Sequence, residues 1–208
     1  MRQVGIAAVA TMIVSAALMA GAGGAWARKP DGWVLVAPRG QLNAGEEVTL
    51  SSSDTSLETS RGLVIGCPTS TISGTVESNS AASTSLSLTE ASFGGGIGEE
   101  CNLEVPPLPA SEALNAVGLP WTLTFKGQFF TITGTNGELL ELQFPTQPTT
   151  ACVYSGHLVG DSPFSTELRT EPLEEKLTSG CKTRRRATLT SSWSMTSKGE
   201  RVELLVAT

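Results

Sequence analysis

The chain has 208 residues with 14 basic and 20 acidic side chains, a formal charge of −6 and a single histidine. An acidic chain with no large basic field cannot release counterions from a nucleic acid or an anionic membrane, and one histidine excludes chemistry that needs two. The length suits one sizeable core or two small ones sharing a seam.

The first element is a leader. Met1-Arg2-Gln3 carries a small positive charge and Val4 to Met19 is apolar apart from Gly, Ser and Thr. Gly21-Ala22-Gly23-Gly24 softens that run, and Ala25-Trp26-Ala27 fits the small-x-small cleavage pattern. Residues 1–27 are therefore read as a signal peptide and 28–208 as a single domain. An uncleaved membrane anchor is the alternative, because the apolar stretch approaches spanning length. No later run is long enough for a second span, so no stable span is expected after cleavage. The expected location is secreted, extracellular or at the cell envelope.

Cys67, Cys101, Cys152 and Cys181 agree with an oxidising compartment. Zinc would need close ligand pairs, whereas the nearest two cysteines lie 29 residues apart. Disulfides are expected, and no metal or cofactor.

The strand candidates follow in chain order: Trp33–Ala37, Glu47–Ser52, Leu63–Cys67, Thr71–Glu77, Thr84–Phe93, Phe129–Thr133, Leu139–Phe144, Cys152–Val159, Ser165–Thr170 and Val202–Val206. Within Thr84–Phe93 the apolar face moves from Leu86 and Leu88 to Ala91 and Phe93, which predicts a bulge near Thr89-Glu90. The proline-rich insert from Pro106 to Pro120 reads as a loop with an irregular or helical turn at Ser111 to Val117. Asn136-Gly137 and Lys198-Gly199 read as hairpin turns. Trp121, Leu123 and Phe125 alternate with Thr122, Thr124 and Lys126. The residues from Ala187 to Thr196 repeat that pattern with hydroxyls at every even position. Thr suits such half-buried strands because its branched carbon packs on the pleat. The fold class is all-β, an antiparallel β-sandwich or flattened barrel. An outer-membrane barrel is the rival, but its strands run to about ten residues with an apolar outer band.

The sequence also repeats itself. Trp121-Thr-Leu-Thr-Phe-Lys-Gly and Trp193-Ser-Met-Thr-Ser-Lys-Gly share four of seven positions, and a cysteine pair precedes each. Two pseudo-repeats, about 62–144 and 145–208, are expected. Of the three connectivities the repeat selects Cys67–Cys101 and Cys152–Cys181. Each would contribute about 3.5–4 kcal/mol on a chain-entropy account.

Candidate chemistry is sparse. Ser155-Gly156-His157 sets a nucleophile beside the only imidazole, yet on a regular strand the two share a face about 7 Å apart, too far for direct proton transfer. The carboxylates of Glu171, Glu174, Glu175, Glu138, Glu141 and Glu99-Glu100 lack an aromatic sugar platform and read as solvated surface. Lys182, Arg184, Arg185 and Arg186 form the only basic run, read either as a guarded strand edge or as a small anion patch. No catalytic residue is assigned.

Taken together, Gly62-Leu63-Val64-Ile65-Gly66-Cys67, Ser70–Val76, Ala91-Ser92-Phe93, Cys101, Gly118-Leu119-Pro120-Trp121-Thr122-Leu123-Thr124, Cys152–Gly156 and Cys181 resemble a group of secreted actinobacterial β-proteins. The Leu-Pro-Trp-x-Leu-Thr core between two cysteine pairs is more distantly similar to the exported activator of alkane oxidation. The resemblance covers about residues 60–208. It implies an extracytoplasmic β-fold with no catalytic residues to carry over, and the alkane link implies contact with a hydrophobic substrate. In that group the position of His157 is usually small or hydroxylated, and the basic run is particular to this chain. The leading expectation is an exported non-enzymatic β-protein that binds, or builds structure, at or outside the envelope. An interaction factor for hydrophobic substrates is second and a hydrolase third. The partner would be an envelope glycan or a hydrophobic ligand.

Overall fold

A computed structural model describes residues 32–60, 62–94, 100–103, 113–127, 129–144, 147–161, 173–176 and 186–207. The leader, strand candidate Ser165–Thr170, Glu99, Glu171, Cys181, Lys182, Arg184 and Arg185 lie outside them. The described strands are β1 (Trp33–Ala37), β2 (Gly40–Gln41), β3 (Glu47–Ser52), β4 (Thr55–Thr59), β5 (Val64–Cys67), β6 (Ser70–Ser80), β7 (Ser83–Phe93), β8 (Asn102–Leu103), β9 (Ala113–Ala116), β10 (Trp121–Lys126), β11 (Phe129–Phe144), β12 (Gln147–Asp161), β13 (Leu173–Lys176), β14 (Arg186–Thr190), β15 (Ser194–Ser197), β16 (Glu200–Arg201) and β17 (Glu203–Val206). No helix occurs among the described residues. The fold is all-β, antiparallel and sandwich-like.

Period two makes the walls. In β3 it is Val48, Leu50 and Ser52 that point inward, in β6 Ser70, Ile72, Gly74 and Val76, in β14 Ala187 and Leu189. Such alternation buries one face of each strand and leaves hydroxyls outside. Neighbouring walls run β3-β6-β7-β10-β11-β12-β13-β14. β14 and β15 then pair with β4 and β3, Leu189 opposite Leu57 and Met195 opposite Leu50. Since β3 and β4 are consecutive, as are β14 and β15, the path of ladders returns to its start. A single core fills it, drawn from Leu35 to Leu204 and so from both halves of the chain.

The closing corner is polar. Thr55 and Ser191 share a hydrogen bond of 2.8 Å, the Ser191 hydroxyl donates to Ser52 at 2.7 Å, and Ser52 donates to the Asp54 carboxylate at 2.7 Å. The Ser192 backbone N–H also donates to Asp54, at 2.8 Å. Partial burial pushes the Asp54 carboxyl up, but hydrogen bonds from Ser192 and Ser52 outweigh it and hold the group below the ordinary aspartate range. A carboxyl lowered in this way stabilises the fold fully above about pH 4, and its contribution fades as the pH falls through the lowered value. Asp54→Asn is therefore expected to reduce stability at pH 7. Its deficit against the parent chain should narrow at pH 3, as read by urea unfolding at both values.

β17, β1 and β2 form a separate three-stranded sheet. Thr84 on β7 donates to the Trp33 carbonyl and Gln41 to the Asn79 carbonyl, and two further side chains fasten it more extensively. Asn79 on β6 acts as a missing strand for β1: its Oδ1 accepts from Leu35 N–H at 2.8 Å, and its Nδ2 donates to the carbonyls of Leu35 and Leu42 at 2.9 and 2.8 Å. Arg39, in the β1–β2 turn, donates to the Ser197 hydroxyl and pairs with Glu200 at 3.0 Å and Glu46 at 3.4 Å.

The expected bulge lies in β7, where Ser73 faces Glu90 but Gly74 faces Leu88, so Thr89 is the extra residue. Gly74 permits it, since a Cβ there would lie 2.0 Å from the Ser87 carbonyl oxygen. Two expectations are corrected. Ala113–Ala116 within the predicted turn at Ser111 to Val117 is strand β9, held by the edge of β11 with Leu140 opposite Ala116. Asn136-Gly137 does not reverse the chain. β11 passes through it, paired to β12 on both sides, Thr133 opposite His157 and Glu138 opposite Ser155. Both residues have positive φ, 58° and 76°, but they make a large bulge instead of a hairpin. Gly134 explains why, because only without a Cβ can the Glu138 carbonyl fold back against it, 1.7 Å from where that atom would stand.

Lys198-Gly199 does make the expected hairpin, with φ of 51° and 79° and Ser197 opposite Glu200. The two repeated motifs both point their Trp inward, and the second leads into the Lys198-Gly199 turn. Trp121 opens β10 between β7 and β11, whereas Trp193 sits in the corner between β14 and β15.

Candidate functional site

Where the three-stranded sheet meets the wall of the main sheet, the core is incomplete. A cleft of about 110 Å³ remains between Leu35 on β1 and Leu204 on β17 on one side, and Leu50, Leu123 and Phe130 on β3, β10 and β11 on the other. Phe125, Trp193 and Met195 complete an apolar lining, and Ser194, Arg201 and Glu203 supply the polar groups. Strand alternation puts these residues there: Trp193 and Met195 share a face, as do Leu123 and Phe125.

Aromatic packing keeps the cleft open. Phe125 and Phe130 stand with ring centroids 5.9 Å apart, tilted by 54°. Phe130 is opposite Gly160 in the β11–β12 ladder and lies over it, so a Cβ on Gly160 would come within 2.3 Å of the ring. Gly160→Ala is expected to push Phe130 toward the cleft. Uptake of any ligand there should drop several-fold while the fold is retained, measured by titration with thermal melting as the control.

The other candidate residues are scattered. Cys67 and Cys101 form a disulfide, as the repeat predicted, with Cα atoms 4.2 Å apart. Cys152 is disulfide-bonded too, and Cys181 lies outside the described residues. Of the basic run only Arg186 is described; it is exposed at the start of β14, with Glu174 opposite. His157 is exposed, its Nδ1 3.3 Å from the Thr133 hydroxyl. The Ser155 hydroxyl is buried with no hydrogen-bond partner among the described residues, so the expectation that the two share a face is corrected. Gly156, at φ 148° beside the β11 bulge, turns the strand between them. Glu141 accepts a hydrogen bond from the Gln143 amide on the surface. Among the described residues no three His, Cys, Asp or Glu side chains converge to hold a metal, and no helix is long and apolar enough to cross a membrane.

Sequence reading found Trp193 and its alternation but not the cleft, because the cleft joins strands more than 150 residues apart along the chain, Leu35 with Leu204. The one available signal was Phe125, Phe129 and Phe130 clustered in a chain that is only 5% aromatic. No protein-family model, curated protein or solved structure matches the chain.

Proposed function

We propose that this chain is an exported, non-enzymatic binding protein that holds the apolar part of a small ligand in the cleft beneath the three-stranded sheet. The cleft carries the reading. It is concave and walled by aromatic and aliphatic side chains with few polar groups, the composition of a ligand site more than of a packing fault. A disulfide between Cys67 and Cys101 suits a place outside the reducing cytoplasm, secreted or at the envelope. The resemblance of Leu119–Thr124 to the exported alkane-oxidation activators points to hydrophobic ligands as well.

Trp193 lines the cleft and reports on it. Titration of the purified chain with toluene should shift and partly quench its tryptophan emission in a saturable way. Met195→Trp, which places a larger side chain in the lining, should abolish that saturation without changing the melting curve. Absence of saturable binding to the parent chain, or equal binding by the filled variant, would overturn the proposal in favour of a purely structural module.

A further inference from the structure

The charges at the cleft differ from their neighbours. One hairpin away, Arg39, Glu46, Lys198 and Glu200 are all joined in ion pairs. Arg201 and Glu203 both line the cleft, yet among the described residues neither has an ion-pair or side-chain hydrogen-bond partner. They flank Val202, which is buried and borders the cleft as well; both are exposed, two residues apart where β16 passes into β17. A cationic and an anionic residue thus border one apolar opening, near enough along the chain for one small molecule to engage both.

We propose that the cleft takes a free α-amino acid with an apolar side chain. Its carboxylate would meet Arg201, its ammonium Glu203, and its side chain the space beside Phe125, Phe130 and Trp193. The inference rests on the cleft being a binding site and names what it binds. Size sets the first limit: about 110 Å³ is near the 150 Å³ of an engineered cavity that accepts benzene, so the apolar group is a ring or branched alkyl and not a long chain. Charge sets the second. An anion alone would meet attraction from Arg201 and repulsion from Glu203, and a cation alone the reverse, whereas a zwitterion satisfies both. Planar two-pronged donation by arginine suits a carboxylate in particular.

The test compares five ligands on the full purified chain by calorimetry and Trp emission at low salt: L-phenylalanine, its methyl ester, N-acetyl-L-phenylalanine, toluene and glycine. L-phenylalanine should bind about tenfold or more tightly than the ester or the N-acetyl compound, and glycine should not bind measurably. Arg201→Gln should weaken L-phenylalanine and N-acetyl-L-phenylalanine but not the ester, which loses a repulsion. Glu203→Gln should weaken L-phenylalanine and the ester but not N-acetyl-L-phenylalanine, which loses a repulsion. Both residues are exposed, so melting temperatures should hold. Saturable toluene binding with no preference for the zwitterion would overturn this inference and leave the apolar cleft standing, as would tightest binding of either singly charged form. Failure of toluene and of every amino-acid ligand would overturn both proposals together.

Discussion

Trp121→Ala is expected to cost about 4 kcal/mol of unfolding free energy, the middle of the range for removing a large buried aromatic side chain. Trp121 has no solvent exposure and packs beside Phe93, with ring centroids 6.5 Å apart. Its Nε1 donates to the Val117 carbonyl at 2.7 Å, which fixes the Gly118–Pro120 segment against the β11 bulge. That segment in turn accepts from Thr135 N–H through Gly118 at 2.6 Å. One indole therefore supports the end of β9, the entry to β10 and the irregular middle of β11. Trp121→Phe keeps most of the volume but loses the hydrogen bond and part of the buried ring, so it should cost about half as much. Trp193→Ala should cost less than Trp121→Ala, because Trp193 already borders an opening and its removal enlarges an existing space. Urea unfolding followed by far-ultraviolet dichroism ranks the three. A larger loss at Trp193 than at Trp121 would refute the ordering.

The second large effect lies at Asn79. Asn79→Ala removes the partners of the Leu35 N–H and the Leu42 carbonyl, while the Leu35 carbonyl keeps its bond from Leu42 N–H at 3.0 Å. Leaving such groups part-buried and unpaired should cost about 2–4 kcal/mol. Asn79→Asp separates the donor role from the acceptor role. It still accepts from Leu35 N–H, but it sets a carboxylate against two carbonyl oxygens, so it should be as damaging as alanine at pH 7. Protonation at low pH would restore one donor and bring it closer to the parent chain. Because β1 also lines the cleft through Leu35, either variant should weaken ligand uptake along with stability. An Asn79→Ala chain as stable as the parent would show that the three-stranded sheet is fastened by other contacts.

The sequence makes local features visible and hides those that depend on distant partners. Strands β1 and β3 could be placed to the residue, and the slip near Thr89 was visible because a bulge moves the apolar face along a single strand. The Cys67–Cys101 bridge followed from the spacing of the repeat. Asn136-Gly137 misled because the same dipeptide supplies positive φ to hairpins and bulges alike, and only the pairing of β12 on both sides distinguishes them. Thr55–Thr59 was not recognised as a strand at all. Its two apolar-facing threonines, Thr55 and Thr59, are buried polar groups that show no hydrophobic period, and the hydroxyl of Thr55 is satisfied by Ser191, far away in sequence. Arg201 and Glu203 carry no signal of their own, since unpaired charges on a strand look like ordinary surface until a cavity is found beside them.

The corner that joins β3 and β4 to β14 and β15 has a consequence for how the molecule comes into being. The earliest described strands find their neighbours among the last, β1 beside β17 and β4 beside β14. The closing contacts can therefore set only when nearly the whole polypeptide is at hand, and contacts of such long sequence separation form slowly, although β6, β7, β10, β11 and β12 pair with near neighbours in the chain. Before that moment the opening segments are bare edges, which other chains could extend. Maturation is an act of sealing: the tail of the chain is the latch for its head, and a shortened product would be left open along a seam.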